Sequence, residues 1–457
     1  MDQLLSVVAY ELTLFAAVGF LVGGLDDFIV DSLWIIRSVW RRLTIYRRNA
    51  RTDATTLAQP AHPGRIVIFI AAWDEATVIG RMITYAVATF DHPDYRIYIG
   101  CYPNDRPTIA AVNSLRLPHV RVVVGDAPGP TTKADCLNTL WRALVQDEQA
   151  EGFRAKAIVL HDAEDIVHSA ELRVFDTLIE RFDLVQLPVL PLPDPESRWI
   201  GGHYSDEFAE AHGKTIVVRE AIGAAIPAAG VGCAFSRALL AHIAERRGGA
   251  PFDRDSLTED YEIGLRLADY GGRGAFVRLP GARQSAMVGV RAHFPATLET
   301  AVRQKSRWIV GIALAGWDRL GWRGGWAEGW MRLHDRRALI GAVVLLAGYA
   351  ALVLTAGLWA GHALFATTAP TMTPMLETLL SISGLVLLWR LAMRCAFVTH
   401  AYGWREGLRA IPRAVIGNVI AIMAARRALG LYLRMRRDGV VRWDKTAHAF
   451  PDVMPAE

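Results

Sequence analysis

Apolar and polar positions divide this chain into three regimes. Residues 4–24 form a nearly unbroken apolar run, interrupted by Glu11. At about 1.5 Å per residue such a run can cross a bilayer as a helix. It begins Met1-Asp2-Gln3, without the basic start or small-residue cleavage site of a signal peptide, so an uncleaved anchor is expected. From 26 to 48, Phe28, Ile29, Leu33, Trp34 and Ile36 mix with Arg37, Arg41, Arg42, Arg47 and Arg48. That mixture predicts a separate amphipathic helix in the headgroup layer, an ordinary packed helix being the alternative.

After a polar, proline-containing linker at 51–63 the pattern becomes strand–helix alternation. Strands are predicted at 65–72, 95–102, 120–124 and 157–161, with helices at 75–89, 107–115, 133–145 and 170–181. Short apolar runs separated by helices predict a parallel α/β sheet that binds ligands at the carboxyl ends of its strands. This domain is expected to span 64–312. Two further apolar runs follow, 338–360 without a charge and 379–398 with Arg390 and Arg394 towards its far end. Residues 410–435 are apolar but carry Arg413, Arg426, Arg427 and Arg434, which favours an interfacial helix over a fourth span. Arginine is concentrated at 37–48, 319–337 and 403–445, while 362–377 has no Lys or Arg. By the positive-inside rule three spans then leave the α/β domain and the C-terminal segment cytoplasmic, with Met1 and the loop near Thr371 outside.

Composition changes this picture little. The 457 residues are 52% hydrophobic with a net charge of +4, and the basic residues lie beside apolar segments. That fits an anionic membrane surface and gives no nucleic-acid footprint. Four dispersed cysteines, without a CxxC pair, point to a reduced compartment rather than a disulfide framework or zinc site.

Candidate chemistry sits at the predicted strand ends. The first strand ends in Trp73-Asp74-Glu75 and the second in Tyr102-Pro103-Asn104-Asp105; either could meet a ribose or base, or simply cap a helix. Lys133, before Asp135, opens a helix where a phosphate could bind, a surface loop being equally compatible. Asp162-Ala163-Glu164-Asp165 follows a buried strand. Crowded acids there call for a cation or donors, and Asp162 with Glu164 suits magnesium or manganese; the alternative is a solvated turn. Thr258-Glu259-Asp260 opens an apolar-periodic helix, and Gln304-Lys305-Ser306-Arg307-Trp308 follows.

In this order the residues resemble the family 2 glycosyltransferases, the membrane-anchored group that includes cellulose and hyaluronan synthases, across roughly 64–312. The resemblance implies a GT-A type, Rossmann-like nucleotide-sugar-binding domain with flanking transmembrane and interfacial helices. It puts Trp73, Glu75, Asp105, Lys133, Asp135 and Asp162 on the nucleotide sugar, and Asp162 with Glu164 on the metal, Mg2+ or Mn2+. It puts Asp260, beside Glu259, at the catalytic base, Gln304, Arg307 and Trp308 on the QxxRW motif, and Gly232 and Cys233 in the acceptor region. Departures are Glu164 at the third DxD position, Asp74 where Asn is usual, and Asn104 in a common Asp-Asp pair. Asn104-Asp105-Arg106-Pro107-Thr108, the 162–165 run and the ending Trp443-Asp444-Lys445-Thr446-Ala447-His448-Ala449-Phe450-Pro451 resemble more closely the adsorption-protein-B-like inner-membrane glycosyltransferases. That group is linked to exopolysaccharide synthesis and often carries a C-terminal domain binding cyclic di-GMP, which this sequence, stopping at Glu457, is expected to lack. The expected activity is inverting transfer from a UDP-sugar, UDP-N-acetylhexosamine by this resemblance, to a growing exopolysaccharide or envelope glycan at the bacterial inner membrane. Expected partners are the donor, the glycan acceptor, the bilayer and an export partner or second copy. The alternative is a catalytically silent, nucleotide-sensing scaffold; a transporter lacks an intramembrane acid pair.

Overall fold

The structure, a computed structural model, describes residues 2–281, 286–365, 372–439 and 449–451. The loop position near Thr371 and the stretch from Trp443 to His448 lie outside the described residues. The strands are β1 (Ile66–Ala71), β2 (Tyr95–Cys101), β3 (Val120–Val124), β4 (Ala157–His161), β5 (Leu184–Gln186), β6 (Val189–Pro191), β7 (Cys233–Ser236), β8 (Gly274–Phe276) and β9 (Val290–Ala292). Every residue of β1 and of β4 is buried, as expected of strands covered on both faces by helices. The main sheet runs β3-β2-β1-β4-β7-β5-β8, and β6 pairs with β9 in a small parallel sheet. β1 pairs in parallel with β2 and β4, whereas β7 runs antiparallel to both β4 and β5. The four strands expected from the sequence, β1 to β4, thus form the expected parallel sheet, and the antiparallel β7 is an addition to it. The chain turns back through Gly230 and Gly232, both at positive φ, and enters β7 in the opposite direction. Strand order reverses between β1 and β4, and the crevice beyond their carboxyl ends is where such sheets bind ligands.

Helix α1 (Asp2–Thr44) precedes the sheet, and α2 (Ile79–Thr89), α3 (Arg106–Asn113), α4 (Lys133–Glu151) and α5 (Glu171–Leu178) cross between its first strands. α6 (Ile200–Glu210), α7 (Ile216–Ala221), α8 (Arg237–Arg246), α9 (Glu259–Asp269) and α10 (Leu298–Ile309) complete the domain. α2 starts four residues later than predicted because Asp74 adopts positive φ and donates its N–H to Asp105 Oδ2 at 2.6 Å, opening a turn there. α4 runs on to Glu151, where left-handed Gly152 ends it.

Beyond the domain lie α11 (Ala315–Leu320), α12 (Trp326–Arg336), α13 (Ala338–Phe365), α14 (Pro374–Tyr402) and α15 (Trp404–Asp438). The separate span and surface helix expected at 4–24 and 26–48 are one continuous helix, α1. Its midpoint acids take cations from elsewhere in the chain: Arg337 meets Asp26 at 2.6 Å, Arg390 meets Asp27 at 2.5 Å, and Lys214 meets Asp31 at 2.5 Å. With those charges paired, nothing forces the helix to break.

Among the described residues four helices are long and apolar enough to cross a membrane: α1, α13, α14 and α15. α15 also touches the α/β domain and α11 along its length. Arg413 meets Asp206 at 2.8 Å, Ser306 donates to Ala424 O at 3.1 Å, and Tyr432 donates to Asp318 of α11 at 2.6 Å. Twelve positions after α15 ends, Phe450 packs its ring 6.2 Å from that of Tyr85 on α2. A 35-residue helix spanning the bilayer would carry Asp438 to the face opposite that domain. These contacts favour an interfacial α15. In a cysteine-free background, Gly439→Cys should therefore react with an impermeant thiol reagent from the same side as Ser114→Cys, and Met372→Cys from the other. Labelling of positions 439 and 372 from one side would make α15 a fourth span.

Candidate active site

A cavity of about 770 Å³ opens beyond β1 and β4. It gathers Glu75, Lys133, Asp162, Glu164, Glu259 and Asp260, together with Gln304, Arg307 and Trp308. The last three share one face of α10, being three and four residues apart. Besides Glu75, the acids come in two local pairs, Asp162 with Glu164 after β4 and Glu259 with Asp260 at the start of α9, so repulsion within each pair has to be offset by cations from elsewhere.

Lys133 is the first residue of α4, whose N-cap Thr132 accepts a hydrogen bond from Asp135 N–H at 3.2 Å. Its ammonium meets Asp162 Oδ1 at 2.5 Å. Burial opposes its charge, but Asp162, Glu259 and Asp260 together hold its pKa above the ordinary lysine value. Burial, with Asp260 beside it, pushes Glu259 up to about 7. Burial also raises Asp260, against the pull of Lys133 and Arg307. A carboxylate so raised is a better proton acceptor than one in water. Thr258, the N-cap of α9, makes no side-chain capping bond, so this motif does not serve the helix as a side-chain cap. Gly230 makes room for the base: a Cβ there would lie 2.4 Å from Asp260 Oδ2.

The acidic run after β4 divides its labour. Asp162, Glu164 and Asp165 all border the cavity, and the Asp165 side chain also meets His161 Nδ1 at 2.8 Å. The opposite ring nitrogen meets Glu171 at 2.7 Å, and Asp165 accepts the Asp162 amide at 3.0 Å. Burial works against a charged His161, yet Glu171 and Asp165 raise its pKa to about 10, so an imidazolium bridges two buried carboxylates beneath the cavity floor. Sequence analysis missed this bridge; its one signal was a histidine ending an otherwise apolar strand.

Five expected site residues do not line the cavity. Trp73 packs edge-on against Tyr102, 5.2 Å between ring centres. Asp105 caps α3 by accepting Thr108 N–H at 3.3 Å, which is the capping alternative. Asp135 pairs with Arg254 at 2.9 Å in a separate pocket of about 100 Å³. Gly232 packs where a Cβ would lie 2.6 Å from Val290, and Cys233 is fully buried in β7, its thiol pKa raised by that burial. The glycine next in line, Gly230, is the one that touches the site. Residues not foreseen also line the cavity, among them Asp194, Phe208, His293, Phe294 and Phe450.

Asp162 and Glu164 offer two oxygen donors at the cavity edge. That set fits a hard divalent cation completing its shell with water and substrate phosphate. The tighter cluster of Asp26, Asp27 and His334 fits poorly, since Arg337 and Arg390 already neutralise its carboxylates.

Residues 62–311 match the family described as glycosyltransferase like family 2. The chain is 39% identical over 486 aligned positions to bacteriophage adsorption protein B of Escherichia coli (strain K12), and equally to bacteriophage N4 adsorption protein B of Escherichia coli O157:H7. Each match covers 99% of this chain, which spans 64% of the length of either relative. Among solved structures, a mannosyltransferase from Pyrobaculum calidifontis in complex with GDP-Man and Mn2+ superposes with a TM-score of 0.54 at 16% identity. That match covers 93% of this chain and 99% of the other, and shows the GT-A fold.

Replacing His161 with Ala would leave Asp165 and Glu171 buried without their shared cation. The expected loss is about 3–5 kcal/mol, the scale for breaking a buried pair. It should appear as a lowered thermal midpoint of the detergent-solubilised protein. Asp162→Asn, at a more open pair, should move the midpoint far less; equal midpoints for both variants would contradict this account of His161.

Proposed function

The chain belongs to glycosyltransferase family 2, and we propose that it transfers a sugar, with inversion, from a UDP-sugar to a growing exopolysaccharide or envelope glycan. The observation that carries this reading is the convergence of Lys133, Asp162, Glu259, Asp260 and Arg307 on one cavity at the strand-order switch point. UDP-N-acetylhexosamine is the proposed donor, from the resemblance to adsorption-protein-B-like enzymes. Four long apolar helices and the arginine-rich segments beside them support a bacterial inner membrane with the catalytic domain cytoplasmic.

In this reading Asp260 accepts the proton of an acceptor hydroxyl as that oxygen bonds to the anomeric carbon. The bond from that carbon to the diphosphate breaks on the opposite face, and the electron pair leaves with UDP. Lys133 and Arg307 stabilise the charge gathering on the diphosphate, the arginine fork suiting phosphate oxygens. Burial and the neighbouring Asp260 both disfavour the charged form of Glu259, which limits how much negative charge the pair accumulates beside the base. Asp162 and Glu164 would hold Mg2+ or Mn2+, which when bound supplies Lewis-acid stabilisation of the leaving group. Nucleotide contacts narrow to Glu75, Lys133 and Asp162, with Trp73, Asp105 and Asp135 shaping the neighbouring loops.

UDP release measured over a panel of sugar nucleotides should identify one productive donor. Asp260→Asn keeps the shape and removes the proton acceptor, so transfer should fall by roughly 10²–10⁴ with donor affinity within a few-fold of the parent. Glu259→Gln should cost less. Near-parent transfer by Asp260→Asn, with deamidation excluded by mass spectrometry, would remove the base from this scheme.

Asp162→Ala and Glu164→Ala should abolish metal-dependent UDP binding in protein that remains folded and membrane-inserted. Unchanged metal dependence in both would make these acids structural.

A further inference from the structure

The end of α1 carries a set of cations that the catalytic cavity does not use. α1 has 43 residues, about twice the length a hydrocarbon core needs, so its last turns lie beyond that core. There Ile36, Val39, Trp40 and Leu43 are each more than half exposed and, three and four residues apart, share one face. Arg37 and Arg41 stand one turn apart on the flank between that stripe and the face carrying Trp34, which packs on the domain. Arg278, two positions after β8, reaches the same place. It donates to Gly213 O at 3.2 Å, the carbonyl that also takes Trp34 Nε1–H at 3.1 Å. The guanidinium groups of Arg41 and Arg51 lie 5.2 and 4.1 Å from the ring centre of Tyr46. Arg37, Arg41 and Arg278 are half-buried and Arg51 is exposed, so the group opens to solvent. Among the described residues none of the four makes an ion pair. Burial, with the charges of Arg37 and Arg51, holds Arg278 below the ordinary arginine pKa. Glu220 faces the group but is a poor counter-charge. Burial raises its pKa against the Phe276 N–H it accepts at 3.1 Å and the pull of Arg37 and Arg41.

We propose that Arg37, Arg41, Arg51 and Arg278 form a site for the phosphate of an anionic phospholipid headgroup, with the lipid's acyl chains against the stripe of Ile36, Val39, Trp40 and Leu43. Guanidinium forks match phosphate oxygens, and an anion relieves the repulsion among the four cations. The apolar stripe selects a lipid over a free phosphate, which would leave that stripe in water. Charge selects a lipid over a second copy of the chain, since two copies meeting on this stripe would bring their arginines together. A zwitterionic headgroup carries its own cation and offers less to the site. Arg278 belongs to the sheet domain and Arg37 and Arg41 to the anchor helix, so one headgroup bridges the two.

The test titrates the full chain in mild detergent with phosphatidylglycerol or phosphatidylcholine and counts bound lipid by native mass spectrometry. Phosphatidylglycerol should bind roughly fivefold or more tightly than phosphatidylcholine. Arg278→Gln, and separately Arg37→Gln combined with Arg41→Gln, should each weaken it about fivefold or more, the scale of one basic contact to an anionic lipid. Arg51→Gln, at an exposed position whose replacement spares the fold, should weaken it in the same direction. Arg42→Gln, on the other flank of the stripe, should leave it within about twofold. Parent-like thermal midpoints report an intact fold. Equal affinity for the two lipids, parent-like phosphatidylglycerol binding in all the site variants, or its displacement by excess inorganic phosphate would each overturn the proposal. So would a dimer that forms through this stripe and excludes lipid.

Discussion

One buried ammonium holds the centre of this molecule together. Lys133 sits against Asp162 and within reach of the charges of Glu259 and Asp260, groups delivered by the end of β4 and the start of α9. Without a cation there, three carboxylates would share one cavity, and burial with their mutual repulsion would drive them towards protonation. The fold meets this constraint at each contributor. Lys133 is fixed by being the first residue of a capped helix. Glu259 and Asp260 stand at a helix N-terminus, where the backbone dipole favours negative charge. Asp162 is held by its amide bond to Asp165, and Asp165 by His161.

The same economy of charge ties the catalytic domain to its apolar helices. Lys214, Arg394 and Arg413 reach Asp31, Glu210 and Asp206 across helix contacts, each pair largely out of solvent. Such pairs are weak evidence of net stability, because desolvation offsets much of their attraction. A mispaired charge in their place would be costly, and that fixes how the helices register on the domain. The catalytic helix is referenced to the same frame. Tyr261, next to Asp260, donates to Asp335 on α12 at 2.7 Å, and Asp335 also takes Arg219 at 2.7 Å. The base is therefore positioned from both the sheet and the helical collar around it.

The sequence by itself determined whatever depends on local period and strand-end chemistry. Continuous apolar runs specified buried strands and long apolar helices, and motif order pointed to the family. The resemblance carried by that motif order implied site roles for Lys133, Asp162, Glu164, Asp260, Gln304, Arg307 and Trp308, and all seven line the cavity. Tertiary structure alone decided which neighbours face in. Asp105 and Asp135 stand in motifs as suggestive as that of Asp162, but one caps a helix and the other pairs with Arg254, choices set by packing around Tyr102. The reversal of β7, the joining of two expected helices into α1, and the His161 bridge all depend on partners distant in sequence or on the opposite wall of the sheet. The cavity wall carrying Asp194 and Phe294 was equally hidden: its two segments lie about a hundred residues apart and meet only because β6 pairs with β9, a long-range register that no local periodicity encodes.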